Sequence, residues 1–400
     1  MISVTNKKRR FIIYSINTIG LLLYPFYFVL RRKWRNRKQE LLSKLKSREA
    51  LSVTINCTDR LGDILFFTPA LRALKKSFPW IKVIILTNKT GGEIFASNPF
   101  VNEIIFIDNF WSSKSVVSLP EFSRSFTRKY LTQLREIRNK DLDVLLEVKG
   151  DFRNILFLDI WAGAKYLAGY ALSGFGWMLD WEMNHKTGLH EIDTKLNIAL
   201  SLGADITDRR MDIFLSETDE QFARTVFDRN GITENDTIAV FHVGGTWEPR
   251  LWPLDNFIEI GKRLKNQYGA KVILIGDRRD EGKIQRFREK VSSSVKLDYA
   301  TITQTAAIIK KAGIFLGNDS GPLHLARAVR TPLVGIFGPE DVWRVGPEQD
   351  GVALQHKFAC QPCGQVTCSV NPNCVQSITV EEVWRAVDRL LSQSPRRADS

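Results

Sequence analysis

Acidic residues are nearly absent from the first 48 positions of this 400-residue chain, which contain thirteen lysines and arginines and one acid, Glu40. The whole chain has a net charge of +13, so this segment carries +12 and the other 352 residues carry +1. Because the body is nearly neutral, we expect no nucleic-acid partner. A content of 44% hydrophobic and 25% charged residues also excludes a disordered or fibrous chain.

Charge of either sign is missing from Phe11–Leu30, which lies between two basic clusters. As a helix this run would be about 30 Å long, which is the thickness of the hydrocarbon core of a bilayer. We expect residues 1–48 to form a membrane-associated extension. Either the run crosses once and leaves the body on the cytoplasmic side, or it dips in and returns near Pro25. A buried soluble helix is the remaining alternative, but the run has no charged face to meet water.

Cysteine is scarce, with five residues in the chain, and unevenly placed. Cys57 lies in an apolar run and is expected to be a small core residue. The other four follow a C-x2-C-x4-C-x5-C spacing, which leaves a metal cluster, two disulfides or free thiols open; they are Cys360, Cys363, Cys368 and Cys374. A cytoplasmic location favours thiols or metal, but the spacing differs from the paired C-x2-C knuckles of common zinc modules. We therefore predict no metal site, with this cluster as the possible exception.

Apolar runs typical of buried strands alternate with helical patterns from residue 49 onward, without short repeats or low-complexity blocks. The predicted strands are Leu51–Cys57, Lys82–Leu86, Glu103–Ile107 and Asp143–Val148 in a first series and Thr237–Phe241, Lys271–Ile275, Gly313–Gly317 and Pro332–Phe337 in a second. The repeated βαβ alternation predicts an α/β protein with two doubly wound, Rossmann-like domains that face each other across a cleft. We expect domains at residues 49–205 and 206–393, a linker near residues 203–210, a tail at residues 394–400 and the N-terminal hydrophobic helix.

A carboxylate follows the first predicted strand, in the segment Asp59-Arg60-Leu61-Gly62-Asp63. Asp63 stands at a strand–helix junction, where the helix dipole keeps a carboxylate ionised. That suits a general base for a hydroxyl proton, although helix capping is the simpler interpretation from the local pattern alone. Thr68-Pro69 predicts a second helix start or a kink.

Two further polar segments follow strands of the second series. In Asp319-Ser320-Gly321-Pro322-Leu323-His324 a helix begins near Pro322, and the N–H groups of a helix N-terminus bind phosphate. In His242-Val243-Gly244-Gly245-Thr246 a glycine turn precedes Arg250, whose planar guanidinium suits a phosphate. Neither segment has a dinucleotide fingerprint or a Walker lysine. Taken alone, His324 also fits a core or capping histidine, and Arg250 a surface arginine.

Together these residues resemble glycosyltransferase family 9, the lipopolysaccharide heptosyltransferases. The resemblance covers residues 51 to about 390 and rests on Gly62-Asp63 with Thr68-Pro69-Ala70-Leu71-Arg72, on Asp319–His324, on Phe337-Gly338-Pro339 and on Lys149-Gly150-Asp151-Phe152-Arg153. The chain departs from the family pattern at Glu340-Asp341, where members often have a threonine-containing turn, and in the N-terminal extension.

The resemblance implies a GT-B fold and an inverting transfer of a sugar, by default heptose from ADP-heptose, to a lipopolysaccharide-type glycolipid. It implies neither a cofactor nor a metal. We expect the protein on the cytoplasmic side of the inner membrane, with the membrane surface as a partner. By position, Asp63 would be the catalytic base and Arg153 an acceptor contact, and the donor-binding residues would be Thr246, Arg250, Asp319, Ser320, Gly321 and His324. A related transferase for another nucleotide sugar and an inactive membrane adaptor with this fold are the alternatives.

Overall fold

The computed structural model of the chain describes residues 37–107, 128–245, 247–349, 351–363 and 367–393. The chain divides between Arg210 and Met211 into two compact units, each with a six-stranded parallel sheet. The predicted α/β class with two parallel sheets is therefore confirmed. The run Phe11–Leu30, the tail 394–400 and Thr246 lie outside the described residues. Within the ranges given above, no helix has both the length and the apolar character needed to cross a membrane.

The first unit extends from helix α1 to helix α7. Its strands are β1 (Ser52–Cys57), β2 (Lys82–Thr87), β3 (Glu103–Phe106), β4 (Val144–Glu147), β5 (Tyr166–Gly169) and β6 (Trp181–Glu182). Its helices are α1 (Arg37–Lys46), α2 (Leu61–Ser77), α3 (Lys89–Phe95), α4 (Arg128–Arg138), α5 (Phe152–Asn154), α6 (Ile160–Ala162) and α7 (Glu191–Ser201), with a π-helical turn at Ile155–Asp159 and a 3-10 turn at Gly176–Met178. The strands lie in the order β3-β2-β1-β4-β5-β6.

The second unit repeats this architecture. Its strands are β7 (Ile238–His242), β8 (Lys271–Ile275), β9 (Ser294–Lys296), β10 (Ile314–Asn318), β11 (Leu333–Ile336) and β12 (Gly351–Leu354). Its helices are α8 (Glu217–Arg229), α9 (Leu254–Tyr268), α10 (Glu281–Lys290), α11 (Ile302–Lys310), α12 (Gly321–Ala328), α13 (Val342–Val345) and α14 (Val380–Gln393), with 3-10 turns at Glu248–Arg250 and Arg278–Asp280. The strands lie in the order β12-β11-β10-β7-β8-β9.

The central strands of both sheets are buried on both faces, which explains their continuous apolar sequences. All five residues of β7 and of β10 are buried, as are five of the six residues of β1, including Cys57 at 2% exposure. Cys57 is thus the core residue that its apolar surroundings predict. The helices that connect the parallel strands cover both faces and shield this core from water.

The order of strands reverses at one point in each sheet, between β1 and β4 in the first and between β7 and β10 in the second. In open α/β sheets, ligands bind at the carboxyl ends of the strands beside such a switch point. Asp59–Asp63 follows β1 and Lys149–Arg153 follows β4, while the Gly244–Arg250 segment follows β7 and Asp319–Gly321 follows β10. All the polar segments identified in the sequence therefore lie at these two switch points.

Helix α1 belongs structurally to the first unit, although it lies within the predicted extension of residues 1–48. Leu41 and Leu45 are 1% and 2% exposed and line an apolar pocket together with Val53, Leu74 and Phe78. The helix thus joins the core through one apolar face. The packed part of the first unit therefore begins at Arg37, the first residue of α1.

Candidate active site

Asp63 lies in the first turn of α2, directly after β1, at the position that the sequence predicts. The helix begins at Leu61, and its N-cap residue is Arg60, which makes no side-chain capping hydrogen bond. Because Arg60 occupies the N-cap position, the interpretation of Asp63 as the capping residue is wrong. Asp63 as a whole residue is half-buried at the carboxyl edge of the sheet.

Pro69 lies inside α2, so the prediction of a second helix start at Thr68-Pro69 is wrong. A proline has no N–H to donate to the carbonyl four residues earlier, which here is that of Leu65. The Thr68 hydroxyl donates a hydrogen bond to this oxygen instead, at 2.7 Å. This hydroxyl compensates for the missing backbone hydrogen bond and allows α2 to continue to Ser77.

The electrostatic surroundings of Asp63 raise its pKa to about 6. The main cause is burial, which disfavours the charged form, and the carboxylate of Asp59 adds to the increase. The ammonium groups of Lys149 and Lys195 oppose it. Asp63 is therefore mostly ionised at neutral pH but takes up a proton near pH 6, so the helix dipole is not the dominant influence that the sequence suggests.

Asp59 and Lys149 form an ion pair beside Asp63 that sequence patterns did not single out. They are 90 positions apart, and the parallel pairing of β1 with β4 brings them together, with Asn56 opposite Glu147. Each follows the end of its strand by two residues. This shared spacing could have indicated the ion pair from the sequence. The spacing becomes informative only once β1 and β4 are known to be neighbours in the sheet.

Arg153 lies at the same edge of the first sheet, in the short helix α5 after β4. Its guanidinium contacts the carboxylate of Asp151 with Nε–Oδ1 and Nη2–Oδ2 distances of 3.0 and 2.6 Å. Its side chain is 33% exposed, so solvent reaches part of the group. Asp151 holds the planar fork in place at the edge that also carries Asp63.

In the second unit, Ser320 is the N-cap residue of α12, and its hydroxyl makes no capping hydrogen bond. The hydroxyl instead lies 2.9 Å from Nδ1 of His242 and 3.0 Å from the carbonyl oxygen of Asn318. Burial lowers the pKa of His242 to about 4, so this histidine is neutral at physiological pH. The first turn of α12, which contains Gly321 and the buried His324, thus begins beside an oriented hydroxyl.

Arg250 is held between two acidic residues in the same unit. Its Nη1 lies 3.3 Å from Oδ2 of Asp319, and its Nη2 forms an ion pair with Oε1 of Glu340. The guanidinium also lies over the ring of Trp247, with its carbon 4.7 Å from the ring centroid. Arg250 is therefore a fixed cation at the carboxyl ends of β7 and β10, rather than the solvated surface arginine that its local sequence permits.

Asp319 has a pKa raised to about 6, since burial of its carboxyl outweighs the opposing charge of Arg250, and Glu340 adds to the increase. The structure brings Arg250, Asp319, Ser320, Gly321 and His324 together at one switch point, and their role in binding the donor stays a prediction. The remaining predicted residue, Thr246, lies outside the described residues. In the sequence, Glu340 stands out only as a departure from the family pattern. Its ion pair with Arg250 becomes visible only in the folded structure.

Hydrogen bonds and a close approach connect the loops of this second site. Asn318 accepts a hydrogen bond from the backbone N–H of Trp252 at 2.9 Å and donates one to the carbonyl of Gly244 at 3.1 Å. A Cβ at Gly244 would lie 2.1 Å from Cγ of Asp280, so only glycine fits there. These contacts fix the turn that leads to Arg250 against the end of β10.

The four clustered cysteines are all free thiols in the structure; Cys374 is buried, Cys363 is half-buried, and Cys360 and Cys368 are exposed. Across the described part of the chain, no three or more histidine, cysteine or acidic residues are arranged to hold a metal ion. The choice among a metal cluster, disulfides and free thiols for these four residues stays a prediction.

Two doubly wound units with polar clusters at their switch points are an architecture of nucleotide-binding α/β proteins. The profile of glycosyltransferase family 9 (heptosyltransferase) matches residues 131–373, which is more than half of the chain. The protein belongs to this family. Lipopolysaccharide heptosyltransferase 3 of Escherichia coli (strain K12) is 23% identical over 352 residues, which cover 84% of this chain and 97% of that protein. Lipooligosaccharide heptosyltransferase 2 of Campylobacter jejuni subsp. jejuni serotype O:2 is 23% identical over 356 residues, covering 86% and 99%.

Solved structures show the same fold. A glycosyltransferase family 9 protein from Veillonella parvula superposes with a TM-score of 0.72 at 19% identity, covering 86% of this chain and 98% of that one. ADP-heptose lps heptosyltransferase II of E. coli gives a TM-score of 0.66 at 17% identity, covering 86% and 99%. E. coli heptosyltransferase WaaC, solved with ADP-2-deoxy-2-fluoro heptose, gives 0.64 at 17% identity, covering 85% and 99%.

Proposed function

We propose that this protein is an inverting glycosyltransferase that moves a heptose from ADP-heptose to a lipopolysaccharide-type acceptor. In this proposal the first unit binds the acceptor and the second unit binds the donor. The names of the relatives support the heptose and the acceptor class, and the WaaC complex with an ADP-heptose analogue supports the donor.

The observation that carries the proposal is the position and acidity of Asp63. A carboxyl at the switch point with a pKa of about 6 is mostly ionised at neutral pH, yet basic enough to accept a proton. As the acceptor hydroxyl oxygen bonds to the anomeric carbon of the sugar, its proton passes to Asp63. The bond from that carbon to the diphosphate breaks on the opposite face, and ADP leaves with the bonding electrons. One carboxylate suffices, since an inverting transfer forms no covalent glycosyl-enzyme intermediate and therefore needs no nucleophilic second carboxylate.

The leaving diphosphate gains negative charge, and the second switch point offers groups that stabilise it. Arg250 supplies a fixed guanidinium, and Gly321 opens the amino end of α12. The Ser320 hydroxyl would donate to the diphosphate in place of the Asn318 carbonyl oxygen, its acceptor in the structure. Asp319 would accept hydrogen bonds from sugar hydroxyls, and His324 would contact the phosphates. These groups can supply the charge stabilisation for which other transferases use a divalent ion, so we propose that the transfer is metal-independent.

Arg153 is proposed to contact an anionic group of the acceptor from the edge that carries Asp63. The uncharged run Phe11–Leu30 and its flanking cations would hold the protein at the cytoplasmic side of the inner membrane, where a glycolipid acceptor lies. Attachment to the same surface as the acceptor raises the effective concentration of the enzyme.

Replacement of the base tests the proposal. Asp63→Asn should lower the rate of transfer from ADP-heptose by about 10²–10⁴-fold while ADP binding, measured by calorimetry, stays as in the parent. Asp141→Asn is the matched control, since Asp141 is an 81% exposed carboxylate with a φ of 48° that asparagine also adopts. Parental turnover in Asp63→Asn would refute the assignment of the base.

A thermal-shift panel of nucleotide sugars tests the donor. ADP-heptose should raise the unfolding temperature more than UDP- or GDP-linked sugars at the same concentration, because the ligand that binds the folded state more tightly stabilises it more. A larger shift with another donor would indicate a related transferase. No shift with any donor would favour the inactive adaptor.

A further inference from the structure

An ion pair lies next to the proposed base and is built from two adjacent strands. Nζ of Lys149 contacts Oδ1 of Asp59, whose side chain is 7% exposed, whereas that of Lys149 is 41% exposed. Asp59 follows β1 and Lys149 follows β4, and the two strands are parallel neighbours. The pair therefore spans the switch point of the first sheet, at the edge where α2 presents Asp63.

Hydrogen bonds fix the backbone on both sides of this pair. The N–H groups of Lys149 and Gly150 donate to Oε1 of Glu147, at 2.9 and 2.7 Å. On the other side, the amide of Asn88 donates to the carbonyl oxygen of Asp59 at 2.9 Å. These hydrogen bonds hold the backbone on both sides of the ion pair.

Four charged groups act on Asp63 from the elements packed around it. The carboxylates of Asp59 and of Glu191, in the first turn of α7, favour protonation of Asp63, and the ammoniums of Lys149 and Lys195 oppose it. Lys195 is buried and donates to the carbonyl oxygen of Val148 at 2.7 Å. Of the two lysines, Lys149 is the more exposed, and its ammonium is paired with the carboxylate of Asp59.

We propose that Asp59 and Lys149 are positioning residues that set the charge state of Asp63, and thereby the lower pH limit of sugar transfer. The inference rests on the proposed role of Asp63 as the base. The ammonium of Lys149 favours the ionised form of Asp63. Asp59 opposes this in two ways: it pairs with the ammonium, and its own negative charge favours the protonated form of Asp63. We expect their effect to be on the proton of Asp63 and not on binding of the donor.

Profiles of kcat and kcat/KM against pH, measured with the full-length protein, test this pair. In the parent we expect activity to rise with pH through a midpoint near 6 as Asp63 loses its proton. Lys149→Met should raise the midpoint by about 1 pH unit, and Asp59→Asn should lower it by a similar amount, since one nearby charge moves a carboxyl pKa by about 1–3 units. The double variant should return close to the parent, and Lys149→Arg, which keeps the charge, should restore the parental midpoint.

Lys82→Met is the matched control, because Lys82 forms an exposed ion pair with Glu103, at 2.6 Å, at the amino end of β2. It should leave the midpoint unchanged, and KM for the donor should change little in any variant. Opposite shifts for the two single variants would support the proposal. If the single variants have the parental midpoint and only a reduced kcat, the proposal is wrong and the ion pair has a structural role alone. Failure of the base assignment is distinguishable, because Asp63→Asn would then keep parental turnover.

Discussion

Helix α1 provides a quantitative test of how the basic N-terminal segment is attached to the body. Leu41 is 1% exposed and is one of two leucines through which the helix enters the core of the first unit. Truncation of a buried leucine to alanine costs about 2–5 kcal/mol, because transfer free energy is lost and a cavity remains. We therefore expect Leu41→Ala to lower the free energy of unfolding of the first unit by about 3 kcal/mol.

Urea unfolding followed by tryptophan fluorescence measures this effect, since Lys38 of α1 lies 4.6 Å from the ring centroid of Trp181 in the same unit. Lys46→Ala is the control, because Lys46 is exposed in the last turn of the same helix. It should change the unfolding free energy by less than about 0.5 kcal/mol. If Leu41→Ala unfolds at the same urea concentration as Lys46→Ala, α1 is not part of the core. A soluble variant should accordingly begin at Arg37, because truncation after residue 48 would remove this packing.

Three further results are expected. Alanine at both Ser320 and His324 should weaken ADP binding by about 10²–10⁴-fold in calorimetry, since hydrogen bonds to charged groups contribute about 1.5–3 kcal/mol each. Unchanged ADP affinity with weaker acceptor binding would contradict the site. Arg250→Lys should weaken ADP binding by about 3–10-fold, because a point charge replaces a planar fork, and equal affinity would show that the fork is not used. The full-length protein should stay on membranes washed with high salt, which screens surface cations but does not extract an inserted segment; release by salt alone would contradict insertion of Phe11–Leu30.

Eight of the twelve strands were predictable from the sequence, including the edge strand β3. Apolar runs such as Lys271–Ile275 are buried on both faces, so composition alone marks them, and each of the eight predicted strands lies within one residue of its observed ends. The four strands that were missed, β5, β6, β9 and β12, lie at or next to the edge of a sheet and have four residues or fewer. A segment as short as Trp181–Glu182 has no periodicity of its own, and it forms a strand because β5 offers hydrogen-bonding partners.

The site was predictable where one segment carries the chemistry and not where two segments must meet. Asp63 and Ser320 follow strand-to-helix junctions that are visible in a single stretch of sequence. The pairs Asp59–Lys149 and Arg250–Glu340 join residues 90 positions apart in each case. Their contact depends on which strands are neighbours, and that order follows from the whole sheet. The shift in the acidity of Asp63 depends on these same contacts, so the local pattern did not reveal it.

The stereochemistry of the product tests the central claim most directly. The purified protein would be incubated with ADP-heptose and a lipopolysaccharide fragment that lacks its outer sugars, and the anomeric configuration of the transferred heptose determined by NMR. The proposed mechanism, with Asp63 as a single base opposite the leaving ADP, predicts a configuration opposite to that of the donor. A product that retains the configuration of the donor would contradict that mechanism, and absence of heptose transfer to any such acceptor would contradict the proposed activity.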